Sequence, residues 1–343
     1  MFRKILILLA LVGSVVAFLG YQKYREVFAP NVPATLAETH LYIPTGANFE
    51  EVRRLLTEGG YLIDPASFEW LAERMNYKKS EMRSGRFEIQ AGWSNRQLIG
   101  HLRGGKQATV KVVLNNERLI SDIAGKVARS IEPDSQAIYR LLSDPEFLDR
   151  KGYTEEHLLS LFIPNTYDFF WNTTPVQFFE RMEKEKQRFW EQNNRLQKAE
   201  QRDMSPTEVY TLASIVERES NQREERPTIA GVYLNRLERD IPLQADPTVV
   251  FATKQFDLRR VLKKHLAFES PYNTYLNAGL PPGPISMASI NSIDAVLDAE
   301  DHEYLFFCAK PGKVGYHAFA KTLAGHNANA RKYHRWLNQQ RVR

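Results

Sequence analysis

The stretch Ser205-Pro206-Thr207-Glu208-Val209-Tyr210-Thr211-Leu212-Ala213-Ser214-Ile215-Val216-Glu217-Arg218-Glu219-Ser220 carries its own start signal. Ser205 and Glu208 form a capping box, in which each side chain serves the other's backbone N–H. Pro206 falls at the first helical position, where its missing N–H is no loss. A helix advances about 100° per residue, so Leu212, Ile215, Val216 and Glu219 share one face. Glu217 points to the other side, toward solvent, and reads as a surface charge. Glu219 reads as a carboxylate on the apolar side of a helix. Burial there raises a carboxyl pKa and keeps the group protonated near neutrality, as a general acid requires. A plainer alternative stands beside this one. Glu219, in the last turn, reaches water or pairs with Arg223 or Arg226.

The downstream sequence supplies possible surroundings. A second helix starts at Pro227 and carries Ile229, Val232, Tyr233 and Leu237. Three polar segments follow: Gln244-Ala245-Asp246-Pro247-Thr248, Tyr272-Asn273-Thr274-Tyr275 and Gly279-Leu280-Pro281-Pro282-Gly283-Pro284-Ile285. Proline and glycine hold such loops in fixed conformations. Rigid loops with Gln, Asp, Asn, Thr and Tyr suit a cleft for a polyhydroxylated ligand such as a sugar. Read singly, each is also ordinary loop structure.

Upstream, one pattern occurs twice. Thr39 to Ile43 is a strand candidate, followed by Pro44-Thr45-Gly46 and a helical run through Phe49, Val52, Leu55 and Leu56. Arg86 to Ile89 is followed by Gln90-Ala91-Gly92 and a helix carrying Leu98, Ile99 and Leu102. Gly59-Gly60 and Gly104-Gly105 close the two helices. A small α+β module over residues 39–110 is expected. Thr109 to Leu114 predicts a strand and Ile120 to Ile131 a helix. Helices are also expected over Asp134–Asp149 and Thr154–Leu161, and a long, charged, solvated one over Pro175–Gln201. The last helix covers Asn327 to Arg343.

The whole chain has 343 residues, enough for two or three domains, and a net charge of +5 with dispersed basic residues. Nucleic acid is not an expected partner. The single cysteine, Cys308, excludes an intrachain disulfide and a cysteine-based zinc site, and the eight histidines lack metal-ligand spacing. Neither metal nor cofactor is expected. Ile5 to Leu19 is an uncharged apolar run at the lower limit of a membrane span. It lacks a clear signal-peptidase exit, so an uncleaved anchor is expected. Arg3 and Lys4 precede it while Lys23 and Arg25 follow, leaving orientation open. Pro30 and Pro33 mark a juxtamembrane linker.

Together these residues resemble the YceG-like family of endolytic murein transglycosylases. The matching stretches are Leu212–Ser220, Val232–Leu237, Leu243–Val249, Tyr272–Tyr275 and Gly279–Ile285, with Pro164–Tyr167 and His326-Asn327 also fitting. Many separate motifs occur in family order over essentially the whole chain. The resemblance implies an α+β architecture: a cytoplasmic tip and transmembrane helix (1–21), a linker (22–38), a LysM-like subdomain that binds glycan (39–110), and a mixed helical catalytic domain with short strands (111–343). It implies a single-pass protein of the bacterial inner membrane, its bulk in the periplasm, acting on peptidoglycan strands beside penicillin-binding proteins. The family's catalytic glutamate falls on Glu219, with Glu-Ser here in place of the common Glu-Thr. Tyr316-His317-Ala318-Phe319 departs from the usual Gly-His-Thr-Phe, so no catalytic role is expected there.

An ordinary glycosidase uses two carboxylates. None is obvious near Glu219 in sequence, and Asp246 is the attractive candidate. A lytic transglycosylase works with one carboxylate, because the 6-hydroxyl of N-acetylmuramic acid attacks C1. On that scheme Glu219 is acid and then base, and Gln244, Asp246, Tyr272, Asn273, Thr274 and Tyr275 orient sugars or hold Glu219. The alternatives are a two-carboxylate muramidase, a membrane-tethered glycan-binding scaffold with a degenerate cleft, and an inward-facing cytoplasmic protein.

Overall fold

The computed structural model describes residues 2–258 and 260–340. Among them the chain is a mixture of helices and short strands, and it divides into two compact units. The first runs to Lys111 and takes in Ser130–Pro133 and Asp168–Thr174. The second comprises Val112–Arg129, Asp134–Tyr167 and the chain from Pro175 onward.

In the first unit the doubled pattern is built as expected. Strands His40–Ile43 and Gly85–Glu88 pair antiparallel, with Leu41 opposite Phe87. The helices Phe49–Glu58 and Asn95–Gly104 follow them, capped by Asn48 and by a Ser94–Gln97 capping box. A further helix, Pro65–Arg74, completes the module, started by Asp64 accepting from Ala66 and Ser67 N–H. Ile43, Val52, Leu56, Phe68, Phe87, Leu98 and Leu102 meet in its core.

The N-terminal helix, Phe2–Phe28, is the helix among the described residues long and apolar enough to cross a membrane. It runs through the first part of the segment expected as linker. No proline interrupts it before Pro30, and Lys23 pairs with Glu26 on its surface at 2.6 Å. Its end is fastened to the module. Asn95 Nδ2 donates to the Glu26 carbonyl at 2.9 Å and to Ser67 Oγ at 3.0 Å, and Asn31 Nδ2 donates to Asn95 Oδ1 at 2.7 Å. Val32 is wholly buried. Residues 22–38 are therefore largely part of this unit rather than a free tether.

The second unit is arranged around the helix Pro206–Glu219, whose capping box forms with Glu208 Oε2 accepting from Ser205 N at 2.7 Å. Every residue from Val209 to Val216 is buried. A helix covered on all sides is a central one, and Arg226–Leu237 and Ile290–Leu297 pack against it through Ile229, Tyr233, Ile293 and Val296. Its buried hydroxyls are satisfied: Tyr210 Oη donates to the Phe162 carbonyl at 2.7 Å, and Ser214 Oγ accepts from Ile285 N at 3.0 Å.

Several sequence expectations change here. Thr154–Leu161 forms only a 3-10 turn over Leu158–Leu161. Asp134–Asp149 is two helices, Ser135–Leu142 and Pro145–Arg150, because Asp144 caps a new start at Pro145. The helix from Ile120 ends at Val127. The long charged helix breaks after Glu191, where Asn193 and Asn194 take left-handed backbone at φ 58° and 57°. It is not wholly solvated either, since Phe178, Phe179, Met182 and Trp190 are buried and burial lowers the Lys186 ammonium to about 8. The last helix is Leu323–Gln339, and residues 341–343 lie outside the described residues.

Candidate active site

Glu219 is the last residue of the central helix and half-buried. Its carboxylate lies where two cavities adjoin. One, of about 380 Å³, is bounded by Arg118, Arg218, Phe251, Phe256 and Arg260. The other, of about 240 Å³, is bounded by Tyr233, Arg236, Tyr275, Phe307 and His326. Glu219 and Asp246 line both.

Burial pushes the Glu219 carboxyl up to about 7. A hydrogen bond from Tyr233 Oη to Glu219 Oε2, at 3.1 Å, opposes that rise, and the charge of Asp246 adds to it. Tyr233 is itself 2% exposed, and burial beside Glu219 holds its phenol well above the usual range, so it stays a neutral donor.

Glu217, two residues away, is in the opposite condition. Burial alone would raise its pKa, but hydrogen bonds from Ser289 and Ser292 and the Arg226 charge hold it below the ordinary carboxylate value. Ser292 Oγ donates to Glu217 Oε2 at 2.6 Å, Ser289 Oγ donates to the same oxygen, and Arg226 Nη2 donates to Oε1 at 3.1 Å. The expectation of a solvated Glu217 is thus corrected. The helix is enclosed on the side that periodicity assigned to solvent, and the ion pair compensates the buried charge. Two carboxyls in one turn are pushed apart, one ionised and structural, one able to carry a proton at neutral pH. The pairing of Glu219 with Arg223 or Arg226 does not occur; Arg226 is engaged by Glu217, Ser289, Asn291 and the Ser220 carbonyl.

The loop residues singled out from sequence fall in three places. Gln244, Asp246 and Tyr275 come together around Glu219. Tyr275 Oη donates to Asp246 Oδ1 at 2.7 Å, and Arg236 Nη2 donates to Gln244 Oε1 at 2.7 Å. Gln244 is held at φ 53°, a left-handed conformation that is uncommon outside Gly, Asn and Asp and tends to gather at functional sites. Asn273 and Thr274 turn inward instead. Asn273 Nδ2 donates to the Leu266 and Phe268 carbonyls, and its Oδ1 accepts from Tyr275 N at 3.0 Å. Thr274 Oγ1 accepts from Ala245 N at 3.1 Å and meets Thr248 Oγ1 at 2.8 Å. These two shape the loops that carry the others. Tyr272 packs on Phe251 with ring centroids 4.8 Å apart and lines a neighbouring cavity of about 370 Å³ that shares Arg118 and Phe251 with the first.

Sequence reasoning missed Arg118, Arg218, Arg236, Phe256 and the hairpin of Phe306–Ala309 with His317–Ala320, which brings Phe306 and Phe307 to the second cavity. Arg118 is about a hundred positions from Glu219, while Arg218 and Arg236 lie near it in sequence but carry no sign that they face the cleft. Tyr233 was read only as an apolar-face residue, yet its hydroxyl is the hydrogen-bond partner of Glu219.

Opposed pH effects are expected from the two neighbours of Glu219. Tyr233→Phe removes a bond that favours the carboxylate, so the Glu219 pKa rises and the alkaline fall of activity moves to higher pH. Asp246→Asn removes a like charge, so that fall moves to lower pH. A pH–kcat/KM profile of each variant checks the pair, and movement of both in the same direction would count against the assignment.

The Gly/Pro loop packs closely on the backbone of Glu156. A Cβ on Gly283 would lie 2.0 Å from the Glu156 carbonyl oxygen. Gly283→Ala is therefore expected to cost about 1–3 kcal/mol through forced displacement of the backbone, read as a lowered thermal midpoint.

The sequence matches the YceG-like family over residues 41–332. The endolytic murein transglycosylase of Bacillus subtilis is 28% identical over 90% of this chain and 88% of that protein. The endolytic murein transglycosylase of Streptococcus pneumoniae is 25% identical over 96% of this chain and 64% of that longer protein. A crystallised YceG-like protein of Listeria monocytogenes shares the fold with a TM-score of 0.57 and 28% identity, covering 84% of this chain and 97% of that one. The family match takes in Glu219, the residues around it and most of both units, and the chain belongs to the YceG-like family.

Proposed function

We propose that this protein is a membrane-anchored lytic transglycosylase that cuts peptidoglycan glycan strands internally, with Glu219 as its single acid and base. The observation that carries the reading is a carboxyl raised to about 7 at the junction of two cavities. The names of the Bacillus and Streptococcus relatives support the same activity.

In this reading protonated Glu219 donates to the glycosidic oxygen between N-acetylmuramic acid and N-acetylglucosamine. The C1–O bond breaks, its electron pair stays on the leaving oxygen, and that oxygen departs as a hydroxyl. The positive charge developing at C1 faces Asp246, which Tyr275 holds in place. The 6-hydroxyl of the same muramic residue attacks C1. Its proton passes to the Glu219 carboxylate, restoring the acid. No water is consumed, and the product is a 1,6-anhydro ring. Tyr233 orients Glu219 in both steps, and Gln244 presents its amide to sugar hydroxyls. Tyr272 stacks on a more distant sugar, while Asn273 and Thr274 keep the loop in shape. Arg118, Arg218 and Arg260 give one side of the cleft a positive wall suited to the carboxylates of a wall peptide.

The helix Phe2–Phe28 would anchor the protein in the inner membrane, with the two units on the periplasmic side and the LysM-like unit holding glycan. Action beside penicillin-binding proteins, ending the growth of nascent strands, belongs to the same proposal. Digestion of purified sacculi with the full chain tests it. Shortened strands with anhydro ends are expected, and strands of unchanged length would overturn the reading.

A muramidase is the second reading, because Asp246 lines both cavities with Glu219. It predicts reducing ends in place of anhydro ends.

A further inference from the structure

We propose that the first unit carries a binding site for a phosphate monoester, in a cavity of about 450 Å³ lined by Tyr77, Lys79, Arg83, Arg103, Gln107 and Asn172. None of these residues takes part in the chemistry around Glu219, and the site does not depend on that activity.

Tyr77 is 3% exposed, and its hydroxyl has no hydrogen-bond partner among the described residues. A buried hydroxyl left unpaired costs free energy, so an acceptor is expected where the ring ends. Phe49 packs against that ring edge-on at 6.3 Å, fixing its direction. The surrounding side chains are mostly donors. Arg83 Nη1 spends one bond on the Gly105 carbonyl at 2.6 Å, and Arg103 Nη1 spends one on the Met75 carbonyl at 3.3 Å, leaving further guanidinium N–H groups for a ligand. Lys79 adds a third cation. Glu81 is the acidic side chain among the described lining residues, so the cavity keeps an excess of positive charge. Donor-rich, cationic surroundings select an oxyanion.

One acceptor refines the choice. Gln107 Nε2 donates to the Ser84 carbonyl at 2.7 Å, which fixes the amide and leaves Oε1 buried without a partner among the described residues. Asn172 Nδ2 donates to Ser84 Oγ at 2.8 Å and closes that side. A phosphate monoester, whose second pKa is about 6, offers several acceptor oxygens to the cations and to Tyr77 and, in its monoanion, one O–H to Gln107 Oε1. A fully ionised sulfate or a phosphodiester offers no such proton. The monoester could come from a lipid headgroup, since the membrane-spanning helix is fastened to this same unit through Asn95, or from a soluble phosphate.

The full chain in nanodiscs of neutral phosphatidylcholine, titrated with inorganic phosphate and followed by phosphorus NMR line broadening, tests the site. Saturable binding is expected, with sulfate at least about tenfold weaker. Lys79→Gln and Arg83→Gln are each expected to weaken phosphate binding by about tenfold and Tyr77→Phe by severalfold. Lys79→Gln leaves the thermal midpoint unchanged, and Tyr77→Phe does not lower it, since it removes an unpaired buried hydroxyl. Nanodiscs containing phosphatidic acid separate the sources: loss of the phosphate titration there assigns the site to a lipid, and its persistence assigns it to a soluble monoester. No saturable binding in the wild type, equal competition by sulfate, or variants that bind like the wild type would each overturn the proposal.

Discussion

Glu219→Gln is expected to lower kcat on glycan strands by about 10²- to 10⁴-fold, the usual worth of a positioned acid–base group. The substitution keeps the shape of the side chain and the hydrogen bond with Tyr233, so the loss reports the missing proton rather than a damaged cleft. The same variant is expected to be more stable than the wild type at alkaline pH. The Glu219 carboxyl titrates at about 7 in the folded chain against 4.5 for an ordinary glutamate. The folded state therefore holds the extra proton between those values, and wild-type stability falls as pH rises through that window. A tenfold change in proton affinity is worth about 1.4 kcal/mol, which bounds the gain of E219Q at pH above the window at roughly 3 kcal/mol. Below the window the two proteins should melt alike. Thermal unfolding of both at acid and alkaline pH checks this. An E219Q protein with no alkaline advantage would mean that Glu219 is ionised at little cost, and so unsuited to be the acid. Improved stability at the expense of catalysis is the usual signature of a strained functional group.

Arg226→Met is expected to be the most damaging change to the fold, about 3–5 kcal/mol. Its side chain is 5% exposed and ties together Glu217, Ser289, Asn291 and the carbonyl of Ser220. Removing it leaves Glu217 as a buried charge with only hydroxyls and one N–H for company. The Ser220 carbonyl adjoins Glu219 in the chain, so activity should also drop under conditions where the variant remains folded. Arg226→Lys should recover part of the stability, because it restores the charge without the planar fork that reaches several acceptors at once. A thermal midpoint for R226M equal to that of the wild type would show that the network carries little of the stability.

How much of this could be read in advance depends on how local the signal was. The capping box Ser205–Glu208 announced the central helix, because both partners of the motif lie within one turn. Angle counting put Glu219 on the face of Leu212, Ile215 and Val216, and it is half-buried at the end of that helix. The enclosure of Glu217 did not follow, since counting assigns a face but cannot tell what covers it; here Ser289, Ser292 and Arg226 do. Gln244, Asp246 and Tyr275 were found by composition and meet at Glu219. Asn273 and Thr274 have the same polar character but turn inward, and nothing in the sequence separates a hydroxyl that caps a loop from one that faces a cleft. Arg118 and the Phe306–Phe307 strand were invisible, as residues about a hundred positions from Glu219 reach it only through the fold. The charged run from Pro175 was broken by two left-handed asparagines whose backbone angles leave no trace in charge pattern.

The central claim is that one carboxyl suffices because the substrate's own hydroxyl replaces water. Mass spectrometry of strands cut by the full chain in heavy-oxygen water tests this most directly. The account predicts ends lighter than a reducing sugar by one water, with no heavy oxygen incorporated. Reducing ends carrying one heavy oxygen would contradict it and would make Asp246 the second carboxylate of a hydrolase.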